Sequence, residues 1–225
     1  MTENWPPDGY TEPEQYIAND RRIMSIGLAL FFPVLVLSSP SLGQGSSALG
    51  SHILEFGNST GLIEYFPLYL LSVAFVYLVW LLGSMALTIL VHEGIHYGIS
   101  YIYGNNPEFE WSSTFGVRNP SVVAYSVGMG RFESLLSMIG PFATLSVLSG
   151  AIMLSTSGIL AGTAAIMFCT NTVPSCSDIY NSCRIALMPR GAKFVNFKEK
   201  GELRSEFAIP IGEGTGEAST LKNQQ

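Results

Sequence analysis

The chain has 225 residues and a formal net charge of −6, and only 12% of its residues are charged. That share is about half of what soluble proteins carry. Nucleic-acid binding needs a clustered basic surface, so we do not expect a nucleic-acid partner for this acidic chain.

The few charges are also unevenly distributed along the chain. No Asp, Glu, Lys or Arg occurs in residues 23–54, 65–92 or 134–177. A soluble domain could not fold around such segments without exposing large apolar patches. The composition therefore predicts an all-α polytopic membrane protein with about four transmembrane helices, surrounded by a lipid bilayer.

The N-terminal part begins with a polar segment. Residues 1–20 are rich in Pro and acidic residues, which predicts a disordered tail. An apolar run over about 23–37 follows Arg21 and Arg22. We interpret it as an uncleaved first span, because the long acidic segment before it is unlike the start of a secretory signal. Residues 21–64 thus hold the first span and an extracytoplasmic loop that is rich in Gly and Ser.

The second span is predicted over about 65–91. Its helix should continue past His96 towards Tyr103, where Gly104-Asn105-Asn106-Pro107 stops it. Residues 108–127 carry aromatic and β-branched residues around an Asn119-Pro120 turn. This pattern predicts a short β-hairpin between spans two and three.

Two further spans follow the hairpin. They are predicted over about 135–154 and 159–175, separated by a polar Ser-Thr-Ser-Gly segment. The chain then becomes basic and afterwards rich in Gly and Glu. Residues 193–225 are therefore expected to form a largely disordered cytoplasmic tail.

The positions of Lys and Arg predict the orientation of these spans. All 11 lie in the N-terminal segment, the hairpin or the C-terminal region, and none lies between Ile23 and Val117. With four spans, these three regions share one side, which the positive-inside rule makes cytoplasmic. We therefore expect both termini of a cell-membrane protein to be cytoplasmic.

One motif in the second span carries chemistry. His92-Glu93-Gly94-Ile95-His96 places two imidazoles four residues apart, on one face of a helix, where both can bind one metal ion. The carboxylate of Glu93, beside the first histidine, can serve as general base on a metal-bound water. The motif predicts a zinc site with His92 and His96 as ligands and Glu93 as the catalytic residue.

A catalytic zinc ion takes three protein ligands, so a third is needed. The candidates are Asp178, the cysteines, and the acidic residues Glu108, Glu110 and Glu133. Asp178 is the strongest, because it is the acid at the end of the fourth span and acids beside a membrane core are usually functional.

The segment before Asp178 predicts how its carboxylate reaches the site. Asn171-Thr172-Val173-Pro174 should break the helix and let the carboxylate turn inward. Asn171 is either a group that contacts the metal ligands or the substrate, or only part of this break.

These motifs, taken in order, resemble a known family. The H-E-x-x-H sequence, then Gly140-Pro141-Phe142-Ala143-Thr144, then Asn171-x-x-Pro174 and an Asp are similar to site-2 proteases, which are intramembrane zinc metalloproteases. A group of zincin-type integral-membrane metallopeptidases is closer still, through residues 119–125, Ser177-Asp178 and Met188-Pro189-Arg190-Gly191. The resemblance covers roughly residues 65–192, which we interpret as a zinc metallopeptidase-like membrane core.

The chain also departs from the site-2 protease pattern. That family places its aspartate five residues after the proline and follows it with glycine. Here the separation is four residues and Ile179 follows. Thr144 stands where that family has an asparagine. These departures concern the surroundings of Asp178 and leave the two-histidine motif unchanged.

The resemblance implies a membrane-embedded zinc metalloprotease. Its substrates would be membrane proteins or membrane-adjacent peptides, cleaved by zinc-activated water with Glu93 as general base. An extended substrate could pair with an edge strand of the hairpin. Two alternatives stay open, a zinc hydrolase of a non-protein substrate and a non-catalytic metal-binding adaptor. A site closed to extended peptides would favour the first, and four protein ligands would favour the second.

Overall fold

The computed structural model describes residues 5–114, 117–125, 128–199 and 202–212. Within these ranges the chain is mostly helical. The helices are α1 (Asp20–Thr60), α2 (Phe66–Ile102), α3 (Arg131–Ser155) and α4 (Gly158–Ala186). The strands are β1 (Glu14–Gln15), β2 (Asn106–Thr114), β3 (Val117–Tyr125), β4 (Met129–Gly130), β5 (Lys193–Glu199) and β6 (Glu202–Ala208). A short 3₁₀ turn, Leu62–Glu64, connects α1 to α2.

The four described helices are each long and apolar enough to cross a membrane. Their exposed surfaces carry large apolar side chains: Val36 is 70% exposed, Phe75 64% and Leu154 84%. A water-soluble protein rarely exposes so much contiguous apolar surface. The prediction of a membrane protein agrees with these helices.

The chain divides into two compact units. One comprises Met1–Ile26, Glu93–Pro141 and Cys176–Gln225, and the other comprises Gly27–His92 and Phe142–Ser175. The described residues of the second unit form helices joined by short connections. Both sheets lie in the first unit.

The second unit contains a close crossing of α1 and α4. A Cβ atom built on Gly45 would lie 2.6 Å from the Cα atom of Gly162, and one built on Gly162 would lie 2.7 Å from Gly45 Cα. Trp80 lies against both glycines and donates its indole N–H to Thr163 Oγ1 at 2.9 Å. Glycine at both positions therefore lets the two backbones approach, as small residues do between membrane helices.

The first unit contains two antiparallel sheets. Strands β2 and β3 form a two-stranded hairpin, in which Phe109 pairs with Val122. The other sheet has the order β1-β6-β5-β4, so the first described strand pairs with the last described one. Tyr16, next to β1, hydrogen-bonds Asn181 at 3.0 Å and lies under the Arg184 guanidinium. Burial raises the pKa of Tyr16 to about 12.

The sheets correct the all-α description, and the tails also differ from expectation. Residues 1–20 and 193–225 were expected to be disordered, but Glu14–Gln15 and Lys193–Ala208 contribute strands. β1 is stabilised by pairing with residues almost 200 positions away, and local composition carries no signal of that pairing. β5 and β6 pair with each other over Lys193–Ala208, so this part of the predicted tail is wrong for a local reason. Residues 213–225 lie outside the described residues.

Two further predictions are corrected by the structure. The Gly- and Ser-rich segment 41–63 was expected to be a loop, yet α1 continues to Thr60. Serine hydroxyls there bond to the preceding helical turn, as Ser51 Oγ does to the Ser47 carbonyl at 3.0 Å. The hairpin lies between α2 and α3, but Asn119 and Pro120 are within β3 rather than at its turn. Proline is tolerated there because β3 is an edge strand.

The crossing of α1 and α4 gives a test of this helix packing. We expect Gly45→Ala to destabilise the protein by about 1–3 kcal/mol, because the added methyl group would clash with backbone rather than with a flexible side chain. Gly83→Ala, in α2, is the matched control, since a Cβ atom there meets nothing within 4 Å. Thermal unfolding in detergent measures both variants, and equal midpoints would contradict the close crossing.

Candidate metal centre

Helix α2 buries a polar face and exposes an apolar one. Residues at a four-residue spacing share one helical face. On α2 these residues are all buried, and they are Ser84, Thr88, His92, His96 and Ser100. Leu90, in the same turns, is 66% exposed. This pattern is the reverse of a soluble surface helix and suits hydrocarbon surroundings. Both histidines are therefore inside the protein, one turn apart.

The end of α2 carries the chain directly into the hairpin. Gly104 has a φ of +73°, the left-handed conformation that often ends a helix and that glycine adopts without strain. The N–H groups of Gly104 and Asn105 bond to the carbonyls of Tyr101 and Ser100, each at 3.0 Å. Strand β2 begins at Asn106, so the hairpin starts within ten residues of His96.

Asp178 lies on the buried face of a continuous helix. The predicted break at Asn171–Pro174 and the predicted end of span four near residue 175 are wrong, because α4 runs through Pro174 to Ala186. A spacing of three or four residues places Asn171, Ser175, Asp178 and Ser182 on one face, and all four are buried. The carboxylate therefore faces inward without a turn in the backbone.

The three predicted ligands lie together. One ligand atom from each of His92, His96 and Asp178 lies within 4.8 Å of the others. The Nε2 atom of His96 is 3.5 Å from Oδ2 of Asp178. Two imidazole nitrogens and a carboxylate oxygen are donors that zinc accepts, and three such donors leave its fourth position for water. The donor set in the described part of the chain thus fits a catalytic zinc ion.

Each histidine has a further hydrogen bond away from this group. Nδ1 of His92 lies 3.0 Å from Oδ1 of Asn171. The backbone of Ser137 hydrogen-bonds to the side chain of His96. Such contacts orient a metal-binding ring and are normal in zinc sites.

Sequence reasoning missed the contact between Ser137 and His96, although a signal for it exists. Pro141 lies four residues after Ser137 inside α3 and has no N–H. The Ser137 carbonyl therefore lacks its α-helical donor and can accept from another group. The resemblance identified Gly140-Pro141 only as a motif. Its proline leaves the Ser137 carbonyl able to accept a hydrogen bond from His96.

The Glu93 carboxylate is held by the hairpin. It is 7% exposed, and its Oε2 atom accepts the backbone N–H of Val122 at 2.7 Å. This N–H bonds to Glu93 rather than to β2, so it lies on the outer edge of β3. The sequence predicted the hairpin but not this contact, because a backbone donor leaves no trace in residue identity.

The other acidic candidates do not belong to this group among the described residues. Glu110 pairs with Lys198 and accepts the Tyr125 hydroxyl at 3.3 Å. The hydrogen bond from Lys198 holds the pKa of Glu110 below its usual range. Glu133 accepts the Gly130 N–H at 3.0 Å, and Glu108 is exposed. These contacts leave Asp178 as the acid that meets the histidines among the described residues.

A comparison with protein families agrees with this chemistry. A family model described as "Putative zincin peptidase" matches residues 85–193, just under half of the chain, and these residues include every predicted site residue. The similarity supports a zincin-like peptidase and, with it, zinc as the metal. No curated protein and no solved structure matches the chain.

The ligand assignment predicts the metal content of variants. The purified protein in detergent should contain about one zinc ion per chain, and His96→Ala and Asp178→Ala should each lose it, because two donors bind zinc weakly. Glu133→Gln, which alters an acid outside the group, should retain it. Elemental analysis by mass spectrometry measures all four proteins. Zinc retained in Asp178→Ala but lost in Glu133→Gln would contradict the assignment.

Proposed function

We propose that the chain is a membrane-embedded zinc metallopeptidase that hydrolyses peptide bonds of membrane or membrane-adjacent proteins. The observation that carries the proposal is a buried carboxylate, Glu93, on the same helical turn as two histidines that meet Asp178. The similarity to zincin-like peptidases supports the same class. The lipid bilayer and an extended peptide are the proposed partners.

The proposed chemistry assigns one role to each group. His92, His96 and Asp178 hold zinc, which when bound supplies a Lewis acid that polarises a carbonyl and acidifies water. Glu93 accepts a proton from the water that attacks the peptide carbonyl, and then donates it to the leaving amine. Burial of Glu93 keeps bulk water from competing for this proton.

The hairpin is proposed to bind the substrate. A peptide must be extended to present its scissile carbonyl, and an exposed strand edge binds extended peptides through backbone hydrogen bonds. The outer edge of β3 suits this role because its Val122 N–H already contacts Glu93. Further along the same edge, the Asn196 side chain donates to the Ala124 carbonyl at 3.2 Å. The segment around Val122 is therefore the part proposed to meet the substrate.

The membrane setting and orientation are proposed from the spans and charges. An even number of spans and the placement of all Lys and Arg outside Ile23–Val117 support cytoplasmic termini in the cell membrane. The ordered motifs from His92 to Asp178 support a site-2-protease-like arrangement, with cleavage near the cytoplasmic face. Two features favour a peptidase over the alternatives. Three donors rather than four come together among the described residues, and β3 is an edge strand whose outer side lies beside Glu93.

The role of Glu93 is tested by Glu93→Gln. This change keeps the shape of the side chain but removes its basicity, so zinc content should stay at the wild-type level while peptide cleavage falls by at least 100-fold. Reconstituted protein would be assayed on extended fluorogenic peptides and on single-span membrane proteins. Cleavage by the Gln variant at the wild-type rate would overturn the proposal.

The role of the β3 edge is tested by Val122→Pro beside Val122→Ala. Both remove the valine side chain, but only proline removes the N–H that faces Glu93. We expect kcat/KM of the Pro variant to fall at least tenfold relative to the Ala variant, with zinc content unchanged. Equal activity of the two variants would show that the Val122 N–H has no part in holding Glu93 or in presenting the β3 edge to the substrate.

A further inference from the structure

The Asn171 side chain is the most completely enclosed polar group beside the candidate metal centre. It is 0% exposed, and both ends of its amide have partners. Oδ1 lies 3.0 Å from His92 Nδ1. Nδ2 lies 3.3 Å from the Phe142 carbonyl and 3.2 Å from Ser146 Oγ. Because a buried amide must satisfy its polar atoms within the protein, these contacts determine how the amide is oriented.

The Phe142 carbonyl determines which end of the amide faces His92. A carbonyl oxygen only accepts hydrogen bonds, so the amide nitrogen must face it. The amide oxygen must then face the His92 ring. The Ser175 hydroxyl donates its single proton to the Asn171 backbone carbonyl at 2.6 Å, so its 3.4 Å contact with Oδ1 does not decide the orientation of the amide.

The amide in turn determines the tautomer of His92. Oδ1 only accepts, so the ring nitrogen opposite it, Nδ1, must carry the proton. A neutral imidazole has one N–H, and the other nitrogen then carries the lone pair that can coordinate a metal. We infer that Asn171 is a positioning residue that holds His92 as the Nδ1–H tautomer and so makes Nε2 its metal-binding atom.

This inference deepens the proposed function and rests on its metal site. It selects one of the roles that the sequence left open for Asn171, since an amide whose groups contact His92, Phe142 and Ser146 orients a ligand. The helix-break role is removed because α4 is continuous through Asn171. Loss of an orienting contact of this kind typically weakens zinc binding by about 10- to 100-fold.

The experiment measures zinc affinity by competition with a chromophoric chelator, using the full chain in detergent. Asn171→Leu keeps the volume but removes the acceptor, and should bind zinc about 10- to 100-fold more weakly than wild type. Asn171→Asp keeps an acceptor oxygen towards Nδ1 and, as the protonated acid, an O–H donor towards the Phe142 carbonyl, so it should bind within about fivefold of wild type. Thr172→Val is the matched control, because Thr172 is also fully buried in α4 and its hydroxyl donates to the Phe168 carbonyl at 3.3 Å.

The outcomes separate this inference from the proposed function. Wild type that binds no zinc would overturn the proposed function. Zinc bound equally well by wild type and Asn171→Leu, or lost equally in Asn171→Asp, would overturn the role of Asn171 alone. Affinity lost to the same degree in Thr172→Val would assign the effect to general packing and would also overturn it.

A second measurement does not depend on any variant folding. Nitrogen-15 NMR of histidine-labelled, metal-free wild type distinguishes the two tautomers by the shifts of the ring nitrogens. We expect His92, assigned by comparison with the chain's two other histidines, to show a protonated Nδ1. An Nε2–H tautomer for His92 would overturn the inference directly.

Discussion

Burial of polar groups in apolar surroundings is the constraint on which this site depends. His92, Glu93, His96 and Asp178 are each no more than 9% exposed. An unpaired polar group in such a place costs roughly several kcal/mol of folding free energy. Each of these side chains therefore needs a hydrogen-bond partner. The partners come from distant parts of the chain: Asn171 for His92, and the backbone of Val122 for Glu93. The motif on α2 therefore depends on α4 and on the hairpin for its geometry.

Prolines within the helices contribute to the same matching. In α3 and α4, Pro141 and Pro174 each remove one helical hydrogen bond, yet both helices continue. Neighbouring groups in a membrane protein can satisfy the carbonyls released in this way. At Pro141 the released carbonyl belongs to Ser137, which bonds to His96. The hydrogen bond that is missing within α3 therefore leaves a carbonyl that orients a histidine of α2.

Features with a local cause could be predicted from the sequence, and features with a distant cause could not. Uncharged runs locate the helices, and helical periodicity predicts that His92 and His96 share a face. The structure groups Asp178 with them, while the metal-binding and catalytic roles of these residues remain predictions. The extension of α1 depends on Gly45 meeting Gly162, and β1 depends on pairing with β6. Neither partner can be identified from the segment that needs it.

The C-terminal strands, expected to be a disordered tail, have a structural connection to the site. Lys198 on β5 pairs with Glu110 on β2, and Asn196 bonds to the Ala124 carbonyl on β3. Both contacts hold the hairpin from the side of β5, and the hairpin in turn holds Glu93 through Val122. Because β1 pairs with β6 and β6 with β5, the N-terminal segment joins the same sheet. The two ends of the chain therefore support the strand that contacts Glu93, although neither end carries a site residue.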